Sequence, residues 1–209
     1  MSGRTKAVPF DSKEYWEDRF SHEEPFDWLL TWDSIRDHLQ PYLSPSCEPI
    51  LHLGCGNSLL ALQMTDCGYR KIVNVDYSTC VIEKMKQRTA MTRRYDDLVW
   101  LTADCLQDLS PVRPFAGTDG CYRVAIEKSL TDCIACGDDD ALSHQRAMAT
   151  QIASVQPTDG LWISISFSNH REPLPPYRLI DKIPVLVPQE NDKPGAPDIY
   201  YYLYILQKK

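Results

Sequence analysis

The stretch Ile50-Leu51-His52-Leu53-Gly54-Cys55-Gly56-Asn57-Ser58 decides the fold. An apolar run breaks into a Gly-x-Gly turn, and two glycines let the backbone pass close to a ligand where a Cβ would stand in the way. A second run, Lys71-Ile72-Val73-Asn74-Val75, ends in Asp76, and a third, Leu98-Val99-Trp100-Leu101-Thr102-Ala103, ends in Asp104. A carboxylate at the C-terminal end of a strand can accept both hydroxyls of a ribose. Taken singly, each of these pieces also reads as turn chemistry. In register with alternating elements, glycine, acid and acid at successive strand ends form the layout of a nucleoside-type cofactor site along the carboxyl edge of a parallel sheet.

Outward from this stretch the chain alternates. Ser58 to Cys67 reads as a helix closed by Gly68, followed by strand Lys71–Val75, helix Thr79 to about Arg93 and strand Leu98–Ala103. Strand Tyr122–Glu127, helix Asp138–Val155 and strand Leu161–Phe167 continue the rhythm. Repeated β-α-β units with right-handed crossovers give a parallel sheet with helices on both faces. The end breaks the pattern: Tyr177–Val187 and Ile199–Leu206 flank the turn-rich segment 189–195 with no helix between, which predicts an antiparallel hairpin added to the sheet edge. Ahead of the sheet, Asp11-Ser12-Lys13-Glu14 resembles a capping box opening a helix to about Phe20, with Trp16 and Phe20 four apart on one face. A short helix over Trp32–Leu43, stopped by Pro45 and Pro49, completes this part. The expectation is a doubly wound α/β fold of seven mostly parallel strands in a single domain, with 1–45 a helical lid and 46–209 the sheet core.

Composition sets bounds. The 209 residues are 43% hydrophobic, enough for one full core. No apolar run approaches the roughly 18 residues that cross a bilayer, and the first ten residues lack a signal-peptide core, so a soluble, cytoplasmic protein is expected. Eight cysteines scattered among strands, turns and helices read as free thiols of a reducing compartment. Cys133-Ile134-Ala135-Cys136 lacks the second pair that a zinc site needs, so no metal is expected. A formal charge of -7 argues against sequence-independent nucleic-acid binding and is compatible with a basic protein partner.

The cofactor follows from what the turn lacks. A dinucleotide fingerprint wants a third glycine where Leu59 stands, for close packing of helix and strand beneath the pyrophosphate. S-adenosylmethionine carries no phosphate. Its site asks for two glycines, an acid for the ribose and a polar group at the third strand, which Gly54, Gly56, Asp76 and Asp104 supply in order.

At this point the residues resemble a family. Leu53-Gly54-Cys55-Gly56-Asn57-Ser58, Val75-Asp76-Tyr77-Ser78 and Ile126-Glu127-Lys128-Ser129-Leu130-Thr131-Asp132 are similar to the L-G-C-G-N-S, V-D-Y-S and E-K-G-T-L-D-A motifs of the methyltransferase-like enzymes that methylate lysine on elongation factor 1-alpha. Tyr15-Trp16-Glu17-Asp18-Arg19-Phe20 and Phe26-Asp27-Trp28 resemble that group's Y-W-x-x-R-Y and Y-D-W segments, and the likeness runs from about residue 13 to 165. The resemblance implies that Trp16, Phe20 and Trp28 close over the methionine end of the cofactor above Gly54. Gly56 and Asn57 complete the turn, Asp76 and Tyr77 hold ribose and adenine, Asp104 and Cys105 line the adenine pocket, and Lys128 sits beside the cofactor. Phe20 stands where the family has Tyr, and Ser129 and Thr131-Asp132-Cys133 depart from G-T-L-D-A.

Methyl transfer from a sulfonium is an in-line displacement that needs alignment, a dry pocket and a deprotonated acceptor. Trp16, Phe20, Phe26 and Trp28 offer apolar walls and ring faces to a lysine cation, or pack a lid. At the rim of the fourth strand, Glu127 and Lys128 either orient the acceptor and the cofactor carboxylate or pair with each other. Asp138-Asp139-Asp140 either attract a basic substrate or complement a helix dipole. His170 is a candidate general base, or a surface loop histidine. The expected activity is transfer of methyl to a protein lysine; a small-molecule O, N or S acceptor is the alternative enzyme, and a binding module without activity the non-enzymatic one. Neither nucleic acid nor membrane is an expected partner.

Overall fold

A computed structural model describes residues 8–137, 140–187 and 197–209. Among these residues seven strands form one sheet: β1 (Ile50–Leu53), β2 (Ile72–Asp76), β3 (Val99–Thr102), β4 (Val124–Lys128), β5 (Leu161–Ser166), β6 (Tyr177–Leu186) and β7 (Tyr200–Lys208). Their order is β3-β2-β1-β4-β5-β7-β6. β1 to β5 are mutually parallel, and β7 runs antiparallel between β5 and β6. The chain winds outward from β1 through β2 to β3, then returns to start the other half at β4. The crevice beside β1 is therefore the topological switch point where ligands bind in such sheets.

Helices α1 (Lys13–His22), α2 (Trp32–Leu39), α3 (Leu60–Asp66), α4 (Thr79–Ala90), α5 (Leu130–Ala135) and α6 (Ala141–Ser154) cover the sheet. Strand alternation divides the core. Ile50, Ile72, Trp100, Ile126 and Ile163 face Ile35, Leu39, Leu60, Met64 and Met85 of α2, α3 and α4. On the opposite face Leu51, Leu53, Val73, Val75 and Trp162 meet Met148, Ala149 and Ile152 of α6. Among the described residues, no helix is long and apolar enough to cross a membrane.

Several local expectations shift. α1 is capped by Ser12 instead of Asp11: the Ser12 hydroxyl accepts from the Tyr15 amide at 3.2 Å and donates to Glu14 at 2.9 Å. α2 ends at Leu39 and not Leu43, because Pro41 has no N–H to continue the ladder. Its last turn closes instead through the Tyr42 and Leu43 amides, which both donate to the Leu39 carbonyl. α4 stops at Ala90. The short helix α5, absent from the expected elements, starts within two residues of β4. Asp138, Asp139 and the turn at 189–195 lie outside the described residues, while Asp140 stands at the N-cap of α6 without a side-chain cap bond.

Candidate cofactor site

The site is built on backbone geometry. After Leu53 the chain turns at Gly54 (φ +54°) and Gly56 (φ +48°), both in the left-handed region that favours glycine. A Cβ on Gly54 would stand 2.9 Å from a Leu130 methyl, and one on Gly56 would stand 3.3 Å from the Phe20 ring. The turn is held from β2: the Cys55 amide donates to the Val75 carbonyl at 3.0 Å. The Gly56 amide donates to Oδ2 of Asp76, and the Ser78 amide to Oδ1, each at 2.9 Å. An ionised carboxylate has about four acceptor positions, so Asp76 retains capacity for a further donor. Burial pushes its carboxyl up to about 6, with the Ser78 and Gly56 amides opposing that shift. At the end of β3, Asp104 accepts from the Leu106 amide and the Gln107 side chain, both at 2.9 Å.

A lid of aromatic rings covers this rim. Trp16 stacks on Phe20 at 5.3 Å and donates its indole N–H to the Phe10 carbonyl at 2.7 Å. Trp28 meets Phe10, Trp16 and Phe26 edge-on, and the Arg19 guanidinium lies 4.8 Å from its ring centre. Polar contacts fasten the lid to the sheet core. Glu17 of α1 caps α4, accepting from the Thr79 amide at 3.0 Å, the Cys80 amide at 3.3 Å and the Ser78 hydroxyl at 2.8 Å. Asn57 donates to the Glu24 carbonyl at 2.8 Å. Asp27 accepts from the Ser58 hydroxyl at 2.5 Å and from Lys128 Nζ at 2.7 Å, and Lys128 also donates to the Leu30 carbonyl at 3.0 Å.

Lid and rim enclose a cleft that is partly open to solvent. From the lid it is lined by Trp16, Phe20 and Trp28; from the turn by Gly54, Gly56 and Asn57. The strand ends contribute Asp76, Tyr77, Asp104, Cys105 and Lys128. The residues expected around the cofactor thus share one crevice. Burial raises the Cys105 thiol well above its ordinary range and pushes Cys133, also in the wall, up to about 12, so both are neutral near pH 7. Lys128, its side chain only 3% exposed, pairs with Asp27 and not with Glu127. Burial lowers its pKa, opposed by Asp27.

The two candidate catalytic residues lie elsewhere. Glu127 is fully buried and absent from the cleft wall. Its carboxylate accepts from the Leu130 and Thr131 amides at 2.9 and 3.2 Å, from the Thr131 hydroxyl at 2.6 Å and from the Ser164 hydroxyl. It starts α5 and turns away from the cleft, because neighbours on a strand point to opposite faces and Lys128 takes the cleft side. The side chain of His170 is 80% exposed, pairs with Glu172 at 3.3 Å and is not among the residues that line the cleft, as a surface loop histidine would be placed. Sequence reasoning overlooked Asp27 and Glu17, whose partners lie far along the chain. It also passed over His52, a polar residue inside an apolar strand that lines the cleft.

An open sheet of this order, with an antiparallel pair on one side, a glycine turn after β1 and acids closing β2 and β3, defines a class I methyltransferase. Known proteins agree. The chain is 33% identical to the methyltransferase srdJ of Neurospora crassa, over 99% of this chain and 88% of that one. It is 32% identical to the human eEF1A lysine and N-terminal methyltransferase over 76% of this chain, which spans 22% of that longer protein. Among solved structures, an S-adenosylmethionine-dependent methyltransferase from Anabaena variabilis superposes with a TM-score of 0.65 at 10% identity, covering 100% of this chain and 98% of that one. The N-methyltransferase NodS of Bradyrhizobium japonicum, solved with S-adenosylhomocysteine, gives 0.58 at 12% identity, covering 97% and 99%. No protein-family model matches the chain. The chain belongs to the S-adenosylmethionine-dependent methyltransferase family.

Proposed function

We propose that this single methyltransferase domain moves the methyl of S-adenosylmethionine to a lysine of a protein substrate, with the described residues up to 45 as its lid. One observation carries the cofactor assignment: Gly54, Asp76 and Asp104 line the same crevice at the switch point of the sheet. The cofactor supplies a methyl already activated on sulfur. The residues of the chain bind, orient and dry the site. The bare backbone at Gly54 and Gly56 admits close approach, Asp76 takes the ribose hydroxyls, Tyr77, Asp104 and Cys105 bound the adenine, and Lys128 with Asp27 faces the methionyl end. Trp16, Phe20 and Trp28 exclude water above it.

An acceptor lysine must arrive neutral, and at pH 7 only on the order of one in a thousand is so at its reference pKa. Apolar walls lower that pKa by desolvation, and the lid rings provide such walls. The relatives that act on eEF1A lysine support the protein acceptor. Small-molecule methylation is the second reading, because the relatives named for eEF1A match only about three quarters of this chain. Eight unpaired cysteines support a reducing, cytoplasmic setting. The discriminating experiment is transfer of labelled methyl in a cell extract, with Asp76→Ala as control. Label on a protein band, lost in the variant, is expected; label confined to the low-molecular-weight fraction would transfer the assignment to a small acceptor.

A further inference from the structure

His52 is a polar residue in the middle of β1, 2% exposed, and it forms part of the cleft wall. Its Nδ1 lies 2.9 Å from Asn74 Oδ1, the residue directly across in the register of β1 and β2. Asn74 uses its amide N–H to donate to the Val99 carbonyl at 3.2 Å, which turns Oδ1 toward the imidazole. The hydrogen therefore sits on Nδ1, and Nε2 carries a bare lone pair. Burial pulls the imidazole pKa down to about 4, so the ring is neutral near pH 7. None of the described side chains or amides donates to Nε2. With His52 in the cleft wall, this acceptor is available to a ligand that brings its own donor.

The position says which end of the ligand. Strand alternation places His52, Gly54, Asp76 and Lys128 on one face of the sheet, and the charges acting on His52 are those of Lys128 and Asp27, on the β4 side. Adenine and ribose occupy the β3 and β2 side by the cofactor reading above, on which this inference rests, so the methionyl end runs toward β4. The strong N–H donor of that end is its α-ammonium. We infer that Nε2 of His52 accepts a hydrogen bond from the α-ammonium of bound S-adenosylmethionine, with Asn74 as the positioning residue that fixes the tautomer.

The test is calorimetric titration with S-adenosylhomocysteine and with its desamino analogue, in which hydrogen replaces the amine. His52→Phe is expected to weaken S-adenosylhomocysteine by about tenfold, the range of a hydrogen bond to a charged group, and the desamino compound by less than about twofold. His52→Gln, which keeps an acceptor, recovers most of the difference. Equal weakening of both ligands would mean packing or a ribose contact and would overturn the inference. Nitrogen NMR of wild-type His52 needs no variant: the Nε2 resonance shifts with S-adenosylhomocysteine and not with the desamino compound, and identical shifts overturn the contact. Absence of heat from wild type with either ligand would instead defeat the cofactor reading itself.

Discussion

Asp76 carries the consequence of building a ligand site from a buried carboxylate. Its pKa is raised by burial from 3.8 to about 6, so its contribution to the stability of the free protein is full below its unfolded value and is lost as pH rises through about 6. Ribose hydroxyls donate to the ionised form, so binding follows the opposite sign. Affinity for S-adenosylhomocysteine is expected to rise with pH up to about 6 and then level, falling by up to about tenfold per unit well below that. Asp76→Asn should bind weakly with no such profile; titration calorimetry between pH 5 and 8 measures both. Asp76 and Asp104 were legible because a strand-end acid is a local signal. Glu127 occupies the same rim and misled, although the period-2 alternation between it and Lys128 already said that only one of the two could face the lid.

At the scale of elements, α5 shows how a helix can escape notice. It is six residues long and follows β4 through Ser129 at φ +66°. Its first amides are satisfied by a carboxylate on the preceding strand and not by a residue at its own N-cap. Ser129-x-x-Asp132 has the spacing of a capping box, yet Ser129 at the N-cap makes no side-chain cap bond. Glu127→Ala strands four donors, three of them buried, and is expected to lower stability by about 2–4 kcal/mol, whereas Glu127→Gln, which keeps an acceptor, loses less. Urea unfolding of the two variants separates this capping role from catalysis: equal midpoints for wild type and Glu127→Ala would refute it. The α2 terminus has a similar lesson, since Pro41 stood in plain view and a helix without its N–H closes at the turn before.

For the whole molecule, the lid is the part whose order depends on the rest. Residues 13–30 reach the sheet core through Glu17 on α4, Asn57 on the Glu24 carbonyl, and Asp27 on Ser58 and Lys128. Such polar fastenings open at lower cost than the apolar strands beneath them, and a cofactor enclosed by Trp16, Phe20 and Trp28 adds its binding energy to the closed form. Hydrogen exchange of α1 and the segment to residue 30 is therefore expected to slow by about tenfold or more on adding saturating S-adenosylhomocysteine, with β1, β4 and β5 changing little. Unchanged exchange in the lid would contradict its closing role. The ring face four residues apart on α1 announced a packing helix, yet nothing local tied Asp27 to partners 31 and 101 positions away.

By itself the sequence determined the alternation of strands and helices, the two-glycine turn and the acids that end the next two strands, because each is a local matter of backbone conformation and of which residues tolerate a strand's end. Only the tertiary structure decided that Lys128 answers to Asp27, that Glu127 serves a helix, that His170 stays in solvent and that His52, paired with Asn74, stands in the cleft wall. These depend on which distant segments the sheet register and the lid bring within hydrogen-bond reach, and no property of a residue's own neighbourhood encodes that.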